Sequence, residues 1–165
     1  MALTYESIAT TTLSSTASSV TFSSISGSYT DLVLVITQTA TTTNNHGIRF
    51  NNDTGFNYST TLVYGDGSSA GSERKATSGG GSQNFIYTNN GGVTAISTSI
   101  IQIMNYSNAT TNKTVISRWS QSSVGAAAFA GLWQNTAAIN RVDYVTAAGN
   151  INSGSTFTLY GIKSA

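Results

Sequence analysis

The sequence has no cysteine and no proline, and only 8% of its 165 residues are charged. Without cysteine, neither a disulfide framework nor a thiolate metal site is available. The absence of proline is unusual for a β-rich chain, because proline commonly occupies turns and edge strands. No apolar run approaches the ~20 residues that span a bilayer. The start of the chain also lacks a basic and apolar leader. We therefore predict no membrane partner and no signal peptide, and we expect folding in the cytoplasm of the producing cell.

Charge is also too scarce to favour nucleic-acid binding. Seven basic and six acidic residues leave a net charge of +1, and the basic residues are scattered along the chain. Contacts to phosphate backbones require clustered Lys and Arg, so we predict no nucleic-acid partner. Ser, Thr, Asn and Gly instead make up about half of the residues. A surface of hydroxyl and amide groups can pack against a neighbour with few ions to desolvate.

The apolar pattern predicts a folded β-protein and no disordered linker. Hydrophobic residues reach 39% and aromatic residues 10%, whereas disorder goes with low hydrophobicity and high net charge. Strand-length segments rich in β-branched and aromatic residues alternate with Gly, Asn and Ser turn clusters. The predicted strands are Tyr5–Thr12, Ser19–Ile25, Asp31–Thr39, His46–Phe50, Gln83–Thr88, Ala95–Tyr106, Lys113–Gln121, Ala126–Gln134, Ile139–Ala147 and Ser155–Ile162.

We predict an all-β fold over a single domain, residues 1–165. The spacing of the segments favours an antiparallel two-sheet β-sandwich, jelly-roll-like, with about ten strands. The best helical candidate is the short Asn57–Tyr64 stretch, and the longest predicted loop runs from Asn51 to Ser82.

Three segments are apolar on both faces, namely Leu32–Ile36, Ile100–Met104 and Ala126–Trp133. In a two-sheet sandwich only one face of each sheet is internal. A second apolar face therefore points to an interface with another subunit. The alternative is that the small residues at the start of the third segment simply face solvent.

Catalytic residues are hard to assemble from this sequence. His46 is the only histidine, so a Ser-His-Asp triad would need it, but no nucleophile motif accompanies it. We interpret it as a turn residue of the TTTNNHG segment. A glycosidase needs two nearby carboxylates, and only Asp53 and Asp66 share a loop system. We predict that the chain is not an enzyme and uses no cofactor.

The segment most like a binding site is IRFNNDTGFNYSTTLVYGDG, Ile48–Gly67. Its NNDTG portion, Asn51–Gly55, has closely spaced oxygen ligands that Ca²⁺ could use, but it lacks the alternate acids of an EF-hand loop. The same residues are typical of a tight turn, which is our prediction, with no metal site. Whether the loop of residues 51–67 binds calcium or a glycan stays open. The candidate turn or loop contact residues are Arg49, Asn51, Asp53, Tyr58 and Tyr64.

Four further side chains have predicted structural roles. Trp119 lies on the apolar face of its strand and Trp133 ends an apolar run, so both are expected in the core or an interface. Arg141 and Asp143 share a strand face and are expected to pair with each other or with residues across strands, in a structural role.

Three stretches together resemble a known family. They are YESIATTTLSSTASSVTFSSISGSYTDLVLV (Tyr5–Val35), IRFNNDTGFNYS (Ile48–Ser59) and STFTLYGIK (Ser155–Lys163). In this order they are similar to small β-rich virion proteins of tailed bacteriophages, cyanophages included. The sequence departs from that pattern after Ile25, where the family can carry proline and this chain has Ser26. The resemblance covers most of the chain, and it implies a jelly-roll-like sandwich with a structural role and no catalytic residues.

From the resemblance and the composition we expect a virion structural protein, a capsid decoration protein that binds and stabilises the assembled head. Its partners would be the major capsid protein or other virion proteins, and it would act as a homo-oligomer, with a trimer as one option. It would assemble in the host cytoplasm and reside in the virion. Residues 1–12 could form an assembly arm that pairs with a neighbour's sheet edge. The alternative is a carbohydrate- or receptor-binding module of a tail or head fibre, with Phe56–Tyr64 contacting host glycans.

Overall fold

The structure is a computed structural model that describes residues 4–76, 84–93 and 95–163. Over these residues, twelve strands form two antiparallel sheets. The strands are β1 Tyr5–Thr12, β2 Ser19–Phe22, β3 Asp31–Gln38, β4 Asn44–Phe50, β5 Tyr58–Gly65, β6 Ala70–Ala76, β7 Ile86–Gly91, β8 Ser97–Met104, β9 Lys113–Gln121, β10 Gly125–Trp133, β11 Val142–Thr146 and β12 Thr156–Ile162. The predicted all-β, jelly-roll-like sandwich is therefore confirmed, with two strands more than the ten expected.

The two sheets differ in width. The large sheet has eight strands in the order β1-β12-β3-β8-β9-β10-β5-β6, and the small sheet has four in the order β2-β11-β4-β7. Only three neighbouring pairs, β5–β6, β8–β9 and β9–β10, are consecutive in sequence. The chain therefore crosses repeatedly between the sheets, and most strand pairing is long-range.

Alternation along the strands produces the core between the sheets. In β9 buried and exposed residues alternate over all nine positions, and in β12 buried and half-buried residues alternate. The inward side chains meet in one large cluster, in which each fully buried aliphatic or aromatic group contributes about 1.5–3 kcal/mol. Its central members include Leu34, Ile48, Phe50, Ile101, Val142, Tyr144, Phe157 and Leu159.

The free edge of β7 is closed by hydroxyl groups of the large sheet. The Tyr87 backbone N–H donates to Thr60 Oγ1 at 3.0 Å. The Ser117 hydroxyl donates to the Thr88 carbonyl oxygen at 3.2 Å. These contacts satisfy backbone groups that an edge strand would otherwise offer to another chain.

Beyond β7, the large sheet has further strands that the small sheet does not cover. A second, separate core cluster of Leu62, Tyr87, Trp119 and Phe129 lies at this boundary. The outermost strand, β6, carries Glu73, Arg74 and Lys75, and charged side chains of this kind discourage edge-to-edge pairing.

The predictions were wrong for the segment after Asn57. The helical candidate Asn57–Tyr64 is strand β5, and part of the predicted long loop is strand β6. Thr60 occupies an inward position of β5 and is buried. Because threonine is polar, the sequence of this Thr-rich strand does not show the alternation of apolar and polar residues. The Asp66-Gly67 dipeptide between the two strands, with Gly67 at φ 89°, is the hairpin signal that could have revealed them. Residues 77–82 of the predicted loop lie outside the described residues, and so does Gln83, which begins a predicted strand.

Smaller differences concern strand ends and the predicted arm. The second strand ends at Phe22, before Ile25, because Ser24 takes a left-handed backbone conformation with φ 57°. Tyr5–Thr12 pairs with β12 of its own chain as the edge of the large sheet. Pairing of this arm with a neighbour stays a prediction.

Gly47 is a position where the sandwich tolerates no side chain. A Cβ there would lie 1.9 Å from the Ile86 carbonyl oxygen, in the β4–β7 pairing. We predict that Gly47→Ala lowers the free energy of unfolding by more than about 2 kcal/mol, because backbone must shift. The matched control is Gly27→Ala, whose Cβ would meet Ser107 at an ordinary 3.7 Å. Urea unfolding of both variants tests this, and equal stability of the two would contradict it.

Candidate functional site

The NNDTG segment folds as the tight turn predicted for it. Asn51 and Asn52 both take left-handed backbone conformations, with φ of 50° and 56°. The Asp53 backbone N–H donates to the Phe50 carbonyl oxygen at 2.8 Å and closes the turn. Asn accepts these angles more readily than other non-glycine residues, which explains the two consecutive asparagines.

The Asp53 carboxylate is the centre of a hydrogen-bond network below this turn. Its Oδ1 accepts the Gly55 backbone N–H at 2.8 Å. Its Oδ2 accepts the Asn57 amide at 2.9 Å and the Trp133 indole N–H at 2.8 Å. Burial alone would raise the pKa of Asp53, but the hydrogen bonds from Asn57, Gly55 and Trp133 outweigh it and lower the pKa below its ordinary value.

Tyr58 completes the network from inside the core. Its hydroxyl donates to the Asp53 carbonyl oxygen at 3.0 Å and accepts the Phe50 backbone N–H at 3.2 Å. Its ring stacks on Trp133 with centroids 6.2 Å apart. Tyr58 is 0% exposed and burial raises its pKa, so the prediction that it is a loop contact residue is wrong. Tyr58 is the aromatic residue of the GFNYS stretch that points inward, and it begins β5. Its burial was missed because this segment was not predicted to be a strand.

The other candidate residues do not converge on one site. Asn51 donates from Nδ2 to the Ala138 carbonyl oxygen at 2.8 Å, and its Oδ1 accepts the Asn140 N–H at 3.0 Å, so it ties the turn to a neighbouring loop. Arg49 donates from Nε to the Asn84 carbonyl oxygen at 3.0 Å. Tyr64 lies at the opposite end of β5 and is 47% exposed. Asn51, Asp53 and Tyr58 are therefore structural neighbours, while Tyr64 is separate.

The geometry supports a turn and not a calcium loop at Asp53. Both carboxylate oxygens accept N–H groups, whose partial positive charges would face an incoming cation. Across residues 4–76, 84–93 and 95–163, no group of three or more His, Cys, Asp or Glu side chains could hold a metal ion. Asp53 and Asp66 flank β5, which at about 3.3 Å per residue places them roughly 25 Å apart, too far for a glycosidase pair.

His46 is buried in strand β4, and its interpretation as a turn residue is wrong. It is 0% exposed, and its Nδ1 lies 3.2 Å from the Gln38 amide nitrogen. Burial lowers the pKa of His46 from 6.5 to about 4.

Polar side chains that sequence analysis missed surround this histidine between the sheets. The Asn89 amide donates to Ser99 Oγ at 2.7 Å, and the Tyr144 ring lies 5.8 Å from the imidazole. Buried members of this region are Gln38, Thr88, Asn89, Ser97, Ser99, Ser117 and Gln121. The available signal was that these residues occupy inward positions, which alternate along each strand. Because Ser and Thr occur on both buried and solvated faces, the sequence alone did not show that these residues are buried.

Two other predicted structural roles are confirmed. Trp119 and Trp133 are buried, at 6% and 1% exposure. The Arg141 guanidinium lies 2.7 Å from the Asp143 carboxylate, which also accepts the Thr21 hydroxyl at 2.6 Å.

The surface of the large sheet that faces away from the small sheet, called here the outer face, carries exposed apolar side chains among hydroxyl-bearing ones. The strand register aligns two rows across it. One row is Val35, Ile100, Arg118, Ala128 and Val63, and the next is Val33, Gln102, Ile116, Ala130 and Thr61. Ile100, Ile116 and Val63 are 39%, 44% and 57% exposed. The three segments predicted to be apolar on both faces thus place their second faces on this same surface, with β9 between β8 and β10.

Comparisons with known proteins give little beyond the fold. No protein-family model and no curated protein matches the sequence. Among solved structures, the crystal structure of galectin LEC-6 from Caenorhabditis elegans aligns with 94% of this chain and 96% of that chain. The identity is 8% and the TM-score 0.36, so this similarity carries no inference about ligand or function. Within the described part of the chain, no helix has the length and hydropathy to cross a membrane.

The Asp53 network yields a stability prediction. We expect Asp53→Asn to lower the free energy of unfolding by about 2 kcal/mol, because the new NH₂ would oppose one of the three donors and the charged acceptor is lost. Asp66→Asn is the control, since Asp66 is exposed and bonds only within its own turn, to Ser68 and Ser69. Urea unfolding followed by tryptophan fluorescence measures both, and a comparable loss in the control would show that the network has no special role.

The buried histidine predicts acid sensitivity. With a folded pKa of about 4 and an unfolded value of 6.5, the unfolded chain binds the proton first. The free energy of unfolding is therefore highest above pH 6.5 and falls as the pH approaches 4. Between pH 8 and 5 the loss should be about 2 kcal/mol. His46→Gln should flatten this part of the profile, because the chain has no other histidine. An unchanged slope in the variant would refute the assignment.

Proposed function

We propose that this chain is a structural protein of a bacteriophage virion, a decoration protein that binds the assembled head through the outer face of its large sheet. The observation that carries the proposal is the group of apolar side chains, Val35, Ile100, Ile116, Ala128 and Val63, that surrounds Arg118 on this face. Large exposed apolar patches on a protein commonly mark interaction sites.

The outer face is large enough for a stable interface. Eight strands spaced about 4.8 Å apart, each about eight residues long, give a surface of roughly 34 Å by 26 Å. Standard protein interfaces bury about 800 Å² on each partner. The flat face could therefore supply one side of such an interface without any loop rearrangement.

Charge on this face favours a different protein as the partner. Arg118 is the charged residue within the two central rows, and it is flanked by Ile100 and Ala128. Two copies meeting face to face about a central two-fold axis would bring two guanidinium groups together, which is unfavourable. A capsid protein that offers an apolar surface with a carboxylate would complement the face. Assembly into a homo-oligomer through other surfaces stays a prediction.

The sequence resemblance supports the virion assignment, and the surface chemistry agrees with it. Many copies of a decoration protein bind side by side, so avidity compensates for modest affinity at each contact. The alternative, glycan contact along Phe56–Tyr64, loses Tyr58 because that ring is buried. Phe56 and Tyr64 remain exposed, but at opposite ends of β5.

Copy number tests the virion assignment. Quantitative mass spectrometry of purified virions should give hundreds of copies, in fixed ratio to the major capsid protein. A few dozen copies or fewer would place the protein in the tail and refute decoration.

A pair of variants tests the outer face. Ile116→Asp should abolish binding to heads assembled without the protein, because a carboxylate is placed in the apolar rows. Ser19→Asp, at an exposed position of the small sheet, should bind as the unaltered protein does. Both variants should unfold at the same temperature within a few degrees, since both sites are exposed. Equal binding of the two variants to the heads would remove the outer face from the proposal.

A further inference from the structure

The uncovered part of the large sheet forms a cleft on the inner side of the sandwich. Strand β7 packs on Thr60 of β5, and beyond it a space is left over β6, the last residues of β5 and the first residues of β10. The resulting space, called here the overhang cleft, has a volume of about 320 Å³. Its floor is formed by Leu62, Tyr87, Trp119 and Phe129. Ligand sites commonly have volumes of about 300–1,000 Å³ with mostly apolar and aromatic linings.

Tyr64 forms a fixed aromatic wall of this cleft. Its cross-strand partner is Gly71, and a Cβ at that position would lie 2.7 Å from the tyrosine ring. The ring therefore lies across the glycine, with backbone behind it, while 47% of the residue remains exposed. An aromatic ring held in this way is ordered before any ligand arrives, so binding costs little side-chain entropy.

The polar groups of the cleft distinguish between ligand classes. Glu73 is paired with Lys75 at 3.1 Å, and the same ammonium lies 5.2 Å from the centre of the Tyr87 ring. The place where a cationic ligand would bind is thus filled by the chain's own lysine. Asp66 accepts the N–H groups of Ser68 and Ser69, which holds its carboxylate in position at the rim.

These carboxylates keep lone pairs that can accept hydroxyl groups, and Asn90 adds an amide at the same rim. A flat aromatic wall, an apolar floor and fixed acceptors fit an uncharged ring with an apolar face and several hydroxyls. We propose that the overhang cleft binds a hexopyranose unit of a glycan, stacked on Tyr64 and hydrogen-bonded to Asp66, Glu73 and Asn90. The cleft lies on the opposite side of the large sheet from the outer face, so this site is independent of the proposed head contact.

The two tryptophans allow a direct test with the full chain. Trp119 lies in the cleft floor, whereas Trp133 lies in the core beside Asp53. In ¹H–¹⁵N spectra, the unaltered protein is titrated with glucose, galactose, mannose, N-acetylglucosamine and their β1,4-linked oligomers. At least one probe should shift the Trp119 indole signal saturably and leave the Trp133 indole signal in place. Tetramethylammonium, as the cationic probe, should shift neither.

Matched variants separate binding from folding. Tyr64→Ala should weaken the saturable binding about tenfold, as expected for loss of an aromatic contact. Gly71→Ala should weaken it as well, because the added methyl group displaces the ring without removing it. Phe56→Ala, which removes another exposed ring that lies outside the cleft, should leave the binding unchanged. An unshifted Trp133 signal in each variant shows that the fold is intact.

Three results would overturn the proposal. One is that no saccharide of the panel moves the Trp119 signal. Another is that tetramethylammonium moves it in their place, which would identify the cleft as a cation site. The third is that Tyr64→Ala binds the saccharide as well as the unaltered protein.

Discussion

The difference in width between the two sheets is the constraint on which the rest of this structure depends. A four-stranded sheet can cover only part of an eight-stranded one, so the main core lies beneath the central strands of the large sheet. The remaining strands must end the sandwich without a second layer. They do so with a small aromatic cluster, a charged edge at β6 and an open cleft. The proposed cleft is a consequence of this mismatch, and it lies on the opposite side of the large sheet from the outer face.

Because charged residues are scarce, hydroxyl and amide groups form most of the polar contacts. Threonine and serine hydroxyls close the edge of β7, and asparagines form the turn after β4. The few carboxylates are used where one acceptor must satisfy several donors, as Asp53 does for Gly55, Asn57 and Trp133. A charged acceptor forms stronger hydrogen bonds than a neutral one, so a single residue can fix a turn, a strand and a core aromatic together.

The sandwich was predictable because most strands alternate apolar and polar residues, as β9 and β12 do. Strand β5 was not, because threonine occupies an inward position there: Thr60 is buried although threonine is typical of solvated faces. The burial of His46 was not predictable either, because it depends on strands far away in sequence. Of the candidate site, the turn at Asn51–Gly55 was predictable from local conformational preference. The overhang cleft was not, because it depends on how far one sheet extends past the other.

The pairing of β1 with β12 has a mechanical consequence. Tyr5 lies opposite Ile162 in an antiparallel ladder, and Lys163 lies 2.6 Å from Glu6 at the same end. Tension applied at Tyr5 and Ile162, which lie at the same end of the ladder, would load one pair of hydrogen bonds at a time. The ladder would therefore open from that end. Force transmitted through the outer face would instead be shared by many strands in parallel. The sandwich is therefore weak against pulling along its own chain and resistant to loads across its sheet.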